Sequence, residues 1–223
     1  MVYRVMKNTA LILFLFQLLF SSFLMASDLN INVELPDGSV YYGKIKNNKF
    51  NDTQGFLNWA NGAAYVGGFK NGLMCGVGKI RLANGVEYKG QFENGMANGL
   101  GFLKFVNGDK YEGGFKNDLF DGDGKLTYKN SDFYRGKFKK DNFHGKGLLY
   151  FSSGGIIAFE GEFINNDAKF GTITFANGDI YNGEVDKALF PHGKGEYIFK
   201  DESEKLRKGL FKHGRYQELK ELN

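Results

Sequence analysis

The 23 residues from Tyr88 to Lys110 recur with small changes along most of the chain, and that period limits the possible folds more than any other feature. Tyr88, Gly90 and Phe92 alternate along one face of a strand, and Asn94-Gly95 accepts the positive backbone angles of a tight turn. Gly99, Gly101, Leu103 and Phe105 then alternate back along a return strand. The unit reads as a β-hairpin, and a second pair, Asn107-Gly108, turns the chain into the next copy.

The opening ring falls at Tyr41, Tyr65, Tyr88, Tyr111, Tyr134, Phe159 and Tyr181, in steps of 24, 23, 23, 23, 25 and 22 residues. Glycine stands two residues after every opener, and an apolar residue, most often Phe, stands four after it. Each return strand carries a further glycine, from Gly55 through Gly78, Gly101, Gly124, Gly147 and Gly171 to Gly195. From Gly78 onward another glycine precedes it at two residues, except where Lys169 stands. Glycine inside a strand weakens it, so a repeated one needs a positive reason: the missing side chain leaves a slot in which an aromatic ring can lie. The 32 glycines would fit a disordered chain, but an aromatic content of 16% and a fixed period do not.

The pattern Tyr-x-Gly-x-Phe, turn, Gly-x-Gly, Asn-Gly resembles the membrane occupation and recognition nexus, or MORN, repeat. Tyr111-Glu112-Gly113-Gly114-Phe115-Lys116-Asn117 and His144-Gly145-Lys146-Gly147 are close matches to it. The resemblance covers residues 41–199 in seven copies, with a degenerate half copy at Lys208 to Gly214. It implies an all-β fold: an elongated, twisted single antiparallel sheet of stacked β-hairpins, with glycines and aromatics on one face.

Outside the array, residues 1–26 carry Arg4 and Lys7 before an apolar run from Ala10 to Phe20, which reads as a secretory signal or an uncleaved anchor through residues 10–26. An exported location, periplasmic or secreted, is therefore expected. Residues 27–40 alternate as Leu29, Ile31, Val33 and Leu35 and end on Pro36-Asp37-Gly38, a leading strand and turn that cover the first edge. Residues 200–223 hold the half copy and a polar cap, in which Tyr216, Leu219 and Leu222 are spaced for a short helix.

Setting aside Arg4 and Lys7 leaves 27 Lys and Arg against 25 Asp and Glu, a balance that calls for no nucleic acid. One cysteine, Cys75, excludes an intrachain disulfide and a cysteine-based zinc site. No cofactor is expected, since the Gly-x-Gly pairs open no helix and belong to no βαβ unit. Asp121-Gly122-Asp123-Gly124 lacks the ligand succession of a calcium loop. His144 and His192 hold one repeat position, so they should stand two repeats, roughly 20 Å, apart and share no metal. His213 sits in a turn beside Gly214. No serine or cysteine carries a local nucleophile signature, and the chain is expected not to be an enzyme.

Two surfaces remain as binding candidates. A long single sheet should leave some rings open, which makes Tyr65, Phe69, Tyr88, Phe92, Tyr111, Phe115, Tyr134, Phe138 and Tyr181 a candidate aromatic face for a protein partner. Lys129, Arg135, Lys137, Lys139, Lys140 and Lys146 form a basic block suited to an acidic partner or an anionic lipid surface. The expected function is a scaffold that binds protein, with a membrane-surface protein as the alternative and an enzyme using the aromatic face as a third reading.

Overall fold

The computed structural model describes residues 30–201 and 206–217, so the expected signal or anchor at residues 1–26 lies outside the described residues. Those residues carry 18 strands and no helix, with paired strands antiparallel, and fall into two compact units divided between Asp121 and Gly122. The first holds β1 (Asn30–Glu34), β2 (Val40–Lys46), β3 (Lys49–Phe50), β4 (Asp52–Asn58), β5 (Ala64–Lys70), β6 (Leu73–Arg81), β7 (Glu87–Glu93), β8 (Met96–Lys104) and β9 (Lys110–Lys116). The unit boundary falls inside β10 (Leu119–Thr127). The second continues with β11 (Phe133–Lys139), β12 (Asn142–Tyr150), β13 (Ile156–Ile164), β14 (Asp167–Phe175), β15 (Ile180–Val185), β16 (Pro191–Ile198), β17 (Arg207–Lys212) and β18 (Arg215–Gln217). The leading strand is present as β1, paired with β2 so that Val33 faces Tyr41.

Register explains the paired glycines. In the hairpin of β7 and β8, Tyr88 lies opposite Leu103, Gly90 opposite Gly101 and Phe92 opposite Ala97, so the return strand spends two extra residues in a bulge at Asn98 to Leu100. Gly99 occupies the left-handed region there, with φ of 89°. The Tyr88 ring lies back over both glycines, and its hydroxyl donates to the Gln91 carbonyl at 2.9 Å. A methyl group at Gly101 would meet the ring at 2.5 Å, and one at Gly90 would stand 2.6 Å from the Gly101 Cα. Tyr65, Tyr111, Tyr134 and Tyr181 repeat the bond, each to the carbonyl three residues on, at 2.8 to 3.0 Å.

Phe159, which has no hydroxyl to place, stands in a copy built differently. Gly161 faces Gly171 and Phe163 faces Ala168, so this bulge has a single extra residue, at Lys169. The hairpins β5–β6, β7–β8, β11–β12 and β15–β16 each combine the phenol with two extra residues, and β13–β14 has neither.

Packing runs from copy to copy along the same face. Tyr65 meets Phe69 of its own strand at 5.1 Å and Phe92 of the next copy at 5.2 Å, both edge-on, and Tyr88 repeats this with Phe92 and Phe115. In the second unit Tyr134 does the same with Phe138 and Phe163. Edge-to-face pairs each contribute about 0.5 to 1.5 kcal/mol beyond the area they bury. A position that varies in sequence completes the interior: Phe50, Phe120 and Phe143 stack flat on the copy's tyrosine at 3.6 to 3.9 Å, while Met74 and Ala97 fill the same place.

The two Asn-Gly pairs of the repeat make different turns. Asn94 and Gly95 both have positive φ, 51° and 81°, the two-residue hairpin turn with the twist that strands prefer. At the other end only Gly108 is positive, at 97°, after a turn closed by its amide on the Phe105 carbonyl. The hairpin turns also bond backwards: the amides of Gly95, Asp118 and Asn166 donate to Met74, Ala97 and Phe143 of the preceding copy at 2.9 to 3.0 Å.

The carboxyl-terminal cap departs from expectation. His213 and Gly214, with φ of 46° and 77°, form a hairpin turn, and Tyr216 enters β18 opposite Phe211 instead of a helix. Leu219 and Leu222 lie outside the described residues.

Two outcomes follow from this packing. Gly101→Ala should lower stability by about 1 to 3 kcal/mol, as an overpacked core does, and Tyr88→Phe by about 1 kcal/mol for the lost hydroxyl bond, both read from urea unfolding. Burial is the largest cause that pushes the Tyr134 and Tyr181 phenols up to about 12 from 10.0, so the stability tied to their protonated form is complete below pH 10 and is lost as pH rises toward 12. Alkaline titration should show phenolate absorbance and loss of strand signal rising together in that window.

Candidate functional site

The structure overturns the aromatic face as an open surface. Tyr65, Phe69, Tyr88, Phe92, Tyr111, Phe115, Tyr134, Phe138 and Tyr181 are all buried, none more than 5% exposed. Each of these phenols is committed to a carbonyl of its own copy and each ring to its neighbours, so these rings are hidden along the sheet's own glycines, while others, such as Tyr42, Phe56 and Phe102, stay open as a long single sheet requires.

The residues that are exposed alternate with these. In the first unit Tyr42, Phe56 and Val66 are 46%, 38% and 48% exposed. Register places Tyr42 beside Phe56 and Phe56 beside Val66, and the two rings stand 5.9 Å apart. One apolar row therefore crosses β2, β4 and β5 on the outer face. Val77, Leu100 and Phe102 add exposed apolar side chains on β6 and β8. The sequence signal was present, since Val66 separates Tyr65 from Gly67, but strand alternation alone says which residues share a face and not which face is open.

The basic block is exposed but divided. Arg135, Lys137 and Lys139 stand in β11, Lys146 in β12, Lys140 at the β11–β12 turn, and Lys129 in the turn before β11. Strand β11 spans roughly 20 Å, so Lys129 and Lys140 lie at opposite ends of one hairpin. Acidic residues interleave: Lys137 pairs with Asp123 at 3.4 Å, and Lys146 lies opposite Glu162 in the ladder. The arrangement is a mixed-charge face and not a uniform cationic patch.

A cavity of about 620 Å³ in the first unit is lined by Lys44, Asp52, Phe69, Cys75 and Val77 among others. Its carboxylate is already engaged, since Asp52 accepts from the Gln54 amide at 3.0 Å and the Lys44 amide at 2.8 Å. The Gln54 amide, with those of Lys44 and Thr53, holds that carboxyl below the usual range against the burial that opposes them. An acceptor tied to backbone amides is poorly placed to take a proton from a substrate.

The histidines are not arranged as the repeat position alone implied. His192 has a neighbour outside the comparison of equivalent copies: the His213 ring lies 5.2 Å from it, and the His213 Nδ1 is 2.8 Å from an Asp186 carboxylate oxygen. Ligand atoms of Asp186, His192 and His213 all lie within 4.8 Å of one another. The spacing rule for equivalent positions could not find this trio, because His213 belongs to the degenerate half copy and Asp186 to a lengthened loop. No helix among the described residues is long and apolar enough to cross a membrane.

The MORN repeat family matches residues 65–87, 88–110, 111–133, 134–156 and 190–204. No curated protein matches the chain in sequence. Among solved structures, the TCP domain of Drosophila melanogaster SAS-4 in complex with a proline-rich motif of Ana2 is similar at 14% identity, over 73% of this chain and 88% of that one, with a TM-score of 0.31. The TCP10 domain of Danio rerio CPAP is similar at 14% identity over 79% and 97%, with a TM-score of 0.33. Both superpositions are loose, and the assignment rests on the repeats: four consecutive matches that begin on Tyr65, Tyr88, Tyr111 and Tyr134, the residues whose phenols bridge the paired glycines. The chain is a MORN repeat-containing protein.

Proposed function

We propose that this chain is a non-enzymatic repeat scaffold that binds another protein through the outer face of its first unit after export. The observation that carries the reading is the apolar row of Tyr42, Phe56 and Val66, three large side chains on adjacent strands left open while every opening tyrosine is buried. Exposed apolar side chains in register lose water when a partner covers them, and rigid strands hold them at little further entropic cost. Export rests on the basic and apolar order of residues 1–26, and an anchor retained there would hold the same scaffold at a membrane. The interleaved acids of the second unit favour a protein partner over an anionic lipid surface, because they reduce the field that a headgroup layer would meet.

A photo-activated cross-linker placed at Val66, in the compartment to which the chain is sent, should yield one protein adduct. The same group at Lys146 should not, and Phe56→Glu should remove the adduct with little change in thermal midpoint. Adducts that form equally from both positions, or persist with Phe56→Glu, would overturn the choice of face. Intact mass of the purified chain should begin near Ser27, and a species that retains Met1 would make the leading segment an anchor.

A further inference from the structure

Asp186, His192 and His213 are drawn together by a departure from the repeat. After β15 the chain makes a longer loop in which the Asp186 carboxylate accepts from the amides of Ala188 and Phe190 at 2.9 and 3.0 Å through one oxygen. Its other oxygen is thereby aimed at His213. The next copy's turn is fastened to the same place, since the Gly214 amide donates to the Pro191 carbonyl at 2.9 Å and sets His213 beside His192. The Nδ1 of His192 is buried and has no hydrogen-bond partner.

The geometry points to a binding site for a borderline divalent transition-metal ion, of the zinc class, formed by Asp186, His192 and His213 with its remaining positions open to solvent. Two imidazoles and one carboxylate suit such an ion and leave room for water or a fourth ligand. Two ligand atoms each about 2.1 Å from one ion stand at most about 4.2 Å apart. The Asp186–His213 spacing of 2.8 Å already meets that limit. All three spacings lie within 4.8 Å, so closure on one ion asks for at most a small contraction, and His213, with a side chain 66% exposed on a turn, has space to move. The two backbone amides on Asp186 act as the outer hydrogen bonds that orient a metal-binding carboxylate.

The array contains its own control. His144 occupies the repeat position of His192, and its Nδ1 is likewise buried without a partner. In its copy, however, Lys139 stands where Asp186 does and Asn165 where His213 does, so the other two ligands are missing. Convergence, and not the lone histidine, distinguishes the site.

Equilibrium dialysis of the untagged full chain against zinc should find one tight equivalent, and cobalt in its place should give the visible bands of a low-coordinate histidine site. Asp186→Asn, His192→Asn and His213→Asn should each weaken zinc binding at least about tenfold, and His144→Asn should leave it unchanged. Asn98 and Asn94 hold the positions of His192 and His213 in another copy, so the two histidine variants are expected to keep the fold, and Asp186→Asn keeps an acceptor oxygen for the Ala188 and Phe190 amides, all checked by circular dichroism. Zinc should raise the thermal midpoint of the unmodified chain and of His144→Asn but of none of the three ligand variants. Absence of a stoichiometric ion in the folded chain, or equal binding by the ligand variants, would overturn the site.

Discussion

A phenol that must cross its own strand to reach a carbonyl is the constraint on which this structure depends. A buried hydroxyl left without a partner is costly, and in each tyrosine copy the partner lies three residues on, beyond the glycine that follows the ring. Any side chain at that glycine or at its cross-strand mate would block the route. Tyrosine, two facing glycines and a bulged return strand are thus one device and not three preferences. The Phe159 copy shows the dependence from the other side, for without the phenol the bulge shortens by one residue and the preceding glycine gives way to Lys169.

Much of this was legible in the chain because period and alternation are local properties. The hairpins, the Asn94-Gly95 turn and the slot over the glycines follow from spacing. The accessibility of the rings does not, since it depends on contacts between copies and on Phe50, Met74, Ala97, Phe120 and Phe143, a position where size is free to vary and no motif appears. Tyr216 was misplaced for a related reason: its spacing to Leu219 fits a helix, but the turn at His213 and the Phe211 ring draw it into a strand.

Charge and histidine were harder still. Lys129 and Lys140 look close along the chain but stand at opposite ends of a hairpin, whereas Asp186 and His213 are 27 residues apart and touch. In a stacked array the natural neighbour of a residue is the one about a period away, so linear clustering misleads where period-shifted pairing informs. The loop after β15 breaks the period, and it is there that ionisable groups converge.

The backward bonds of the hairpin turns have a genetic meaning. Because the turn amides of Gly95 and Asp118 reach the same carbonyl position of the copy before, and Tyr65 and Tyr88 meet the same phenylalanine of the copy after, the successive copies that open on Tyr65, Tyr88 and Tyr111 present interchangeable junctions. Excising residues 88–110 would bring Tyr65 against Phe115 in place of Phe92 with the junction chemistry intact, while excising one residue would invert the faces of a strand. The length of such a gene product can therefore change in whole copies by unequal recombination, each step yielding a chain whose remaining contacts already fit.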